Sequence, residues 1–597
     1  MIGFTADFET TTDAKDCRIW AYALCQIDDP SNFIYGTTFE EFMEFCANPA
    51  FNYTLYFHNL KFDGSFIISW LLNNGFTYIK DRKEKASNTF TTLITDMGQF
   101  YSIEIYFKVQ GHHTNKVKIL DSLKIFPNFS VDKVAKGFGL SIQKLEIDYK
   151  LKRPIGWQLT EQEINYIRND VEIMARALKL MFDQGLNKMT IAGDAFNSYK
   201  SFVPSFRKRF PVLPKNVDED IRLSYRGGFT YVNDKYKEVP VGKGICIDKN
   251  SMYPSKMVQQ PLPYGKPEFF EGEYIYDKSM PLYIQSLTCK FELKEGKIPN
   301  IQLKNNLSFI PNEYLSSSNN ELVTLTLCSP DYELFKENYH ITNITYHGGW
   351  KFKECKGMFD DYINHWMEQK IKAGKEKNQP LRQIAKLMLN SLYGRFGLSI
   401  KSTRKYPYLD ENGVVRFALH EEEEREPVYI PVACFITAYG RVDTIRTSQA
   451  IRDYSIKKYG KDAYFYSDTD SIHCSLTDED LEELKSMLFI DDYALGAWAK
   501  ESDFDRALFI RQKCYIEEEN GKLNVTVAGL PKYLTPLITF DNFKKGFTTE
   551  GLTLNDMIRL ASENGATEEE IKKLHPKLTY KYVKGGVILA DTDFTIK

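Results

Sequence analysis

Two carboxylates one residue apart interrupt an apolar run: Asp468 and Asp470 in YFYSDTDSIHC, Tyr464 to Cys474. The flanking Tyr464, Phe465 and Tyr466, and Ile472 and Cys474 beyond, read as buried strand. An unpaired carboxylate there is costly, so the fold must pair these two or give them a metal. Residues two apart on a strand share a face, and at the lip of a tight hairpin both can point outward together. Either way, the pair offers oxygen ligands to one point, which suits a hard divalent cation such as Mg2+. A bare D-x-D is weak, because Asp and Thr are common in turns. A third carboxylate on another strand is needed to raise it.

GKGICIDKNSMYP, Gly242 to Pro254, supplies one. The apolar Ile245–Ile247 ends in Asp248, and the polar KNS and Tyr253-Pro254 break the strand. A carboxylate at a strand end, followed by a turn with free N–H groups, can hold a metal and cradle phosphates together. Alone it reads as a strand end capped by a turn Asp. Between the two motifs, PLRQIAKLMLNSLYGRFG predicts a helix with Pro380 in its first turn and Gly394 at its end. Arg382, Lys386, Asn390 and Tyr393 fall four, four and three apart and line one face. A solvated face usually alternates its charges. This one carries only cations, an amide and an aromatic ring, a stripe that fits a triphosphate and a base.

Near the N-terminus, FTADFETTT repeats the one-apart arrangement with Asp7 and Glu9. LYFHNLKFDGSFI adds Asn59 and Asp63, and NYIRNDVEIMARAL reads as a helix with Tyr166 and Asp170 on one face. Singly, each is an ordinary strand or amphipathic helix. Together, four carboxylates from three segments can hold two Mg2+ ions, one generating a hydroxide and the other stabilising a leaving oxygen.

With 597 residues, the chain exceeds a single core and predicts three or more domains. Its 43% hydrophobic and 26% charged content is ordinary for a globular protein. A net charge of −3 neither requires nor forbids nucleic acid, since a local groove can be cationic. Ten cysteines with no C-x-x-C pair predict a reduced intracellular protein without a zinc module. No run approaches the ~20 apolar residues of a membrane span. MIGFTADFET lacks a signal core.

DKNSMYP, KLMLNSLYG and YSDTDS, in that order, resemble the three polymerase motifs of family B DNA polymerases. YRGGFT (225–230), TAYGR (437–441) and KCY (513–515) extend the resemblance to the protein-primed, phage phi29-type branch. It runs from near residue 5 to the C-terminal DTDFTIK. One departure is Met252, where the family usually has Leu, a volume-conserving change. The N-terminal segments together resemble the DEDDy 3′–5′ exonuclease set.

The resemblance implies an α/β (α+β) multidomain right-hand polymerase of palm, fingers and thumb, with an N-terminal RNase H-like DEDDy exonuclease domain. It implies template-directed dNTP addition with two Mg2+ per active site, Mn2+ being tolerated. Asp248 and Asp468 would bridge the metals, with Asp470 beside them. Lys386, Lys370 and Arg382 would neutralise the triphosphate. Ser251 and Tyr253 would hold the nucleotide, Tyr253 excluding a 2′-OH, while Asn390 and Tyr393 pack the nascent base pair. Tyr225, Gly227 and Gly228 would bind template between domains, Thr437 and Arg441 the template–primer, and Lys513 and Tyr515 the primer end. In the exonuclease, Asp7, Glu9, Asp63 and Asp170 would be metal ligands, Tyr166 would orient water and Lys144 would assist cleavage. Glu146 matches an acidic position near the metals. His58, Asn59, Phe62, Ser122 and Leu123 match positions that hold single-stranded DNA, where aromatic stacking is worth ~1–3 kcal/mol per base.

The implied boundaries are an exonuclease over 1–190, palm over 191–260 and 431–529, fingers over 358–397 and thumb over 530–597. Residues 261–357, irregular from composition, would be the insert contacting a priming terminal protein. Residues 398–430, with the acidic EEEERE, would be a strand-displacement insert. Residues 453–462 and 550–578 read as additions to the family pattern, the latter as two short capped helices. Implied partners are template–primer and single-stranded DNA, dNTPs and a terminal protein, with no membrane. The expected state is a monomer or 1:1 heterodimer with terminal protein, in the cytoplasm of an infected bacterial host. Two other classes compete: an exonuclease with a vestigial polymerase half, and a non-catalytic nucleic-acid-binding protein. Eight intact site carboxylates and the cationic helix weigh against both.

Overall fold

The computed structural model describes residues 2–111, 113–149, 151–303 and 313–597. The N-terminal third is built on a ten-stranded sheet. Within it Ile2–Thr10 is flanked by antiparallel Ile19–Gln26 and parallel Tyr53–Phe57, which in turn pairs in parallel with His113–Asp121. Ile19–Gln26 and Tyr53–Phe57 are near-continuous apolar runs because helices Leu60–Asn73 and Glu161–Asp183 cover the faces of the sheet. Glu161–Asp183 starts at a capping box, Thr160 with Glu163.

That sheet does not end within the N-terminal third. Arg404–Leu409 pairs with its strand Thr89–Thr95 through Arg404↔Thr95 and Lys405↔Ile94, and Val415–Leu419 lies outermost. The 404–419 part of the 398–430 insert is therefore a hairpin stitched onto the N-terminal sheet, and most of the acidic 421–426 run that follows it is exposed.

A second, five-stranded antiparallel sheet runs Trp498–Phe504, Gly244–Lys249, Ser471–Cys474, Tyr464–Asp468 and Thr230–Val232. Helix Ile430–Tyr459 packs on one face through Ile445 and Ile451 against Ile245, Ile247 and Trp498. Residues 453–459 of the first addition extend this helix, which ends at Gly460 in the left-handed region (φ 67°). Lys458 and Tyr459 then meet Asp480 of helix Asp478–Leu488, a structural role for that addition.

The described residues of 261–357 are not irregular. They form a four-stranded sheet in the order Leu262–Phe270, Tyr339–Cys355, Leu282–Leu293, Val323–Cys328. Register shifts after Ser286 and Thr288 break the period-two pattern that would have revealed it. Helices Asp360–Lys375 and Gln379–Ser391 form an antiparallel pair. The second ends sooner than expected: Leu392 separates it from the short Tyr393–Phe396, and Gly394 lies inside that turn. At the C-terminus, helices Leu554–Glu563 and Glu568–Lys572 both start at capping boxes, as their sequence predicts. Hairpin Lys577–Val583/Gly586–Thr592 reaches back to helix Leu60–Asn73. A Cβ on Gly586 would come within 2.5 Å of Phe66, so this contact requires glycine. No helix among the described residues is long and apolar enough to cross a membrane.

Candidate active sites

The opening carboxylate pair lies at the lip of a hairpin. Asp468 ends Tyr464–Asp468, Thr469 turns through the left-handed region (φ 63°), and Ser471 begins the return strand. Asp468 and Asp248 both pair with Ser471, from opposite sides. The two acids therefore stand at one level on one face, one strand apart, and Asp470 sits in the turn between them. The turn is held by Thr469 N–H to Phe229 O (2.7 Å), Lys249 N–H to Asp470 O (2.8 Å) and Thr444 Oγ1 to Thr469 O (2.8 Å). A Cβ on Gly228 would fall 2.6 Å from Thr469 Cγ2, so Gly228 is needed for this close approach.

Burial, then Asp470 and Glu501, push the Asp248 carboxyl up to about 7. Burial also raises Asp470, with Asp468 and Glu501 adding to it. Glu501 is a carboxylate that sequence reasoning missed. It is the extra residue where the register slips between Cys246 and Ile247, and a bulge carries no sequence signature of its own. Lys513 Nζ bonds both Asp468 oxygens at 3.0 and 3.1 Å, and Thr230 Oγ1 donates to Oδ1 at 3.2 Å. Tyr515 packs on Tyr466 and His473 beneath.

The stripe on Gln379–Ser391 is present: Arg382, Lys386 and Asn390 are exposed and Tyr393 half-buried. Lys370, from the partner helix, has its ammonium pKa lowered by burial and by the charges of Lys386 and Arg382. None of these three cations makes an ion pair among the described residues. The Tyr393 and Tyr253 rings pack at a tilt with centroids 4.2 Å apart, and the charge of Asp470 reaches both rings. Ser251, in the left-handed region (φ 51°), opens the helix that carries Tyr253. Tyr225 lies over Gly397, where a Cβ would meet its hydroxyl at 2.5 Å.

Two residues expected on DNA are instead internal. Arg441 is 3% exposed; it bonds Asp331 and the carbonyls of Arg226 and Gly227, the latter two at 2.8 Å. It thereby shapes the YRGG turn. Thr437 is 2% exposed and donates to its own helix at Ala433 O. Arg441→Ala leaves Asp331 buried without a partner and is expected to cost about 3–5 kcal/mol of stability. A urea midpoint equal to that of the parent would refute this role.

In the second cluster, Asp7, Glu9 and Asp170 each place one ligand atom within 4.8 Å of the others. Asp63 accepts the Phe8 N–H at 3.3 Å. Asp7 is pushed up to about 7 by burial and then by Asp170; Glu9 and Asp63 are held well above the carboxylate range by burial and then by Asp7. Asp170 Oδ1 is buried without a hydrogen-bond partner among the described residues. Mutual repulsion, burial and an orphaned oxygen are what a divalent cation would relieve, so the donor set fits one. Lys144 bonds Asp170 and, at 3.3 Å, the Tyr166 hydroxyl. Glu146 is exposed and outside the cluster, facing Lys573 of the C-terminal helices.

The residues expected on single-stranded DNA divide. Ser122 is fully buried, its hydroxyl shared between Phe57 O and His58 Nδ1 at 3.0 Å each, so it supports His58 rather than touching DNA. Burial lowers the His58 pKa, and Nε2–H donates to Phe129 O at 2.7 Å. Leu123 is half-buried beside it. Asn59 and Phe62 meet the C-terminal hairpin: Asn59 Nδ2 donates to Tyr580 OH at 2.9 Å, and the Phe62 and Tyr580 rings are 6.1 Å apart. Tyr580, 521 residues away, had no sequence signal.

Residues 49–494 match the family model described as DNA polymerase type B, organellar and viral. The DNA polymerase of Bacillus phage phi29 is 42% identical over 614 residues, spanning 100% of this chain and 99% of that one. That of Streptococcus phage Cp-1 is 32% identical, spanning 100% and 98%. The structure of phi29 DNA polymerase complexed with primer-template DNA and incoming nucleotide substrates matches with a TM-score of 0.88 at 40% identity, both chains covered in full. Sites, fold and full-length similarity agree: this chain belongs to the type B DNA polymerases of the organellar and viral family, phage phi29-type branch.

Proposed function

We propose that this DNA polymerase extends primers at Asp248 and Asp468 with Mg2+, edits them at a separate Asp7–Glu9–Asp63–Asp170 centre, starts from a terminal protein and displaces the downstream strand unaided. The observation that carries the synthetic reading is the Tyr253–Tyr393–Asp470 junction. It brings three sequence-distant motifs around one face of the sheet. Asp248 and Asp468 would hold two divalent cations, which when bound clamp the attacking and leaving oxygens of nucleotidyl transfer. Lys370, Arg382 and Lys386 place three unpaired cations on the side where a triphosphate would lie. Tyr253, backed by Tyr393, would stack under the sugar and exclude a 2′-OH. Lys513 pairs with Asp468 and would give it up to a bound cation.

At the editing centre, Lys144 holds Asp170 and fixes the Tyr166 hydroxyl, which would orient the attacking water. Phe62 and Asn59, with Tyr580 against them, would hold an unpaired primer end. The sheet of 261–357 is the surface proposed for the terminal protein. Its exposed Ile275 (85%) and Tyr276 (73%) are apolar groups that a partner would cover. The similarity to DNA polymerases of Bacillus and Streptococcus phages supports an infected bacterial host as the setting.

The test is a primed template with Mg2+, with and without dNTPs: extension in the first and shortening in the second are expected. Neither activity would return the chain to the binding-protein class. For the sugar gate, Tyr253→Val should raise the ratio of rNTP to dNTP incorporation efficiency about tenfold or more. An unchanged ratio would assign the gate elsewhere.

A further inference from the structure

Three donors on the catalytic face of the five-stranded sheet are not among the residues proposed to hold the catalytic cations. Cys246 lies two residues before Asp248 on Gly244–Lys249, so its side chain shares that face. Its cross-strand partner is His473, and Cys246 Sγ and His473 Nε2 are 3.7 Å apart. From the other flanking strand, bulged Glu501 brings Oε2 to 3.6 Å from the same sulfur. His473 Nδ1 is 2.6 Å from Glu517 Oε1, and His473 is 2% and Glu517 9% exposed. A buried carboxylate on Nδ1 fixes the tautomer and aims the Nε2 lone pair at the thiol. The same carboxylate–histidine pairing stands behind zinc-binding histidines.

In a tetrahedral zinc site, with Zn–S about 2.3 Å and Zn–N or Zn–O about 2.0 Å, neighbouring donors lie about 3.5 Å apart. The two edges that meet at Cys246 have that length. The third is open, since the three atoms are not all within reach of one ion as they stand. Closing it takes a rotation of Glu501, which is exposed and sits on the bulge. That side chain also marks the entry path to the buried thiol.

The geometry points to a site for a thiophilic divalent cation, Zn2+ or Co2+, formed by Cys246, His473 and Glu501 and completed by water. Occupancy inhibits extension by seating a dication two residues from Asp248 on the same strand face and by fixing Glu501 of the adjoining strand against the sulfur. A thiolate donor selects such ions over Mg2+. The thiol yields its proton to solvent on coordination. The inference rests on the polymerase reading only for its effect on extension; binding itself is tested without it.

The test uses the full chain in saturating Mg2+. Co2+ should produce a thiolate-to-metal charge-transfer band with one equivalent bound, and Zn2+ should erase it. The editing centre, made of oxygen donors, cannot give that band. Zn2+ should inhibit extension at concentrations that leave exonuclease unchanged. Cys246→Val, close in volume and buried, should lose the band, keep parental extension in Mg2+ alone and raise the half-inhibitory Zn2+ concentration about tenfold or more. Cys246→Ser should behave alike and guards against a packing defect in the valine variant. No band in the parent, or a band and Zn2+ sensitivity that survive both substitutions, overturns the site. A band lost in both variants with inhibition unchanged keeps the site and overturns its link to extension.

Discussion

Asp468→Ala is expected to lower primer extension by about a thousandfold or more while exonuclease activity persists. Asp468 is one of only two acids flanking Ser471 at the same level, and no neighbouring carboxylate occupies its position on that strand. Lys513 would lose its partner and swing free. The Asp7–Glu9–Asp170 cluster lies on a different sheet and shares no ligand with it. The reciprocal Asp7→Ala/Glu9→Ala pair should abolish degradation and keep extension. Both activities are read from one gel with a labelled primer. Comparable extension by Asp468→Ala would remove the assignment of the synthetic centre, and loss of both activities in a folded variant would argue for one shared centre.

Replacing Ser399–Glu426 with a short Gly/Ser linker should leave gap filling largely intact and stop synthesis at the first downstream duplex. Each nucleotide added must open a base-pair step worth ~1.4 kcal/mol. A loop that admits the template and excludes its complement converts forward motion into melting. The insert would serve as that loop through the contacts it makes on two sides. Its hairpin is hydrogen-bonded to the N-terminal sheet, and Tyr78 OH meets His420 Nε2 at 2.9 Å. On its other side, Phe417 packs edge-on to Tyr582 of the C-terminal hairpin at 5.4 Å. The insert thus joins the first and last parts of the chain into a continuous wall. The same variant should dissociate early on long single-stranded templates. Parental displacement by the folded deletion would move the unwinding element to 261–357 or to the C-terminal helices.

The catalytic carboxylates were legible because their signal is local: an apolar strand, an acid at its end and a turn within a few residues. The same holds for the paired capping boxes at Thr553 and Thr567. What was not legible depends on partners far away. Arg441 and Thr437 lie in a conspicuous motif, but only the fold shows that Asp331, 110 residues earlier, occupies the guanidinium. Ser122 reads as an available hydroxyl until Phe57 and His58 close over it. The sheet of 261–357 was hidden because its longest strand, Tyr339–Cys355, carries Gly348 and Gly349 at its middle. There Cβ atoms would strike Phe270 O at 2.2 Å and Ile284 O at 1.9 Å. Glycines that mark a break in most sequences here permit close strand packing.

The stitching of Arg404–Leu409 onto Thr89–Thr95 also bears on how the chain can be cut. Thr77–Tyr78 covers one end of that strand, and Arg404 and Lys405 cover the other at Thr95 and Ile94. Removing the insert uncovers the strand edge at Ile94 and frees the Asp96 N–H, which donates to Thr403 O at 3.1 Å, while Thr95 keeps its bonds to Gln99 and Gly98; the result is a free edge of the kind on which a second molecule can dock. An excised fragment ending near residue 190 would carry the same exposed margin. Self-association of such pieces, increasing with concentration, would then come from the severed seam and not from a failure of the N-terminal layer to fold.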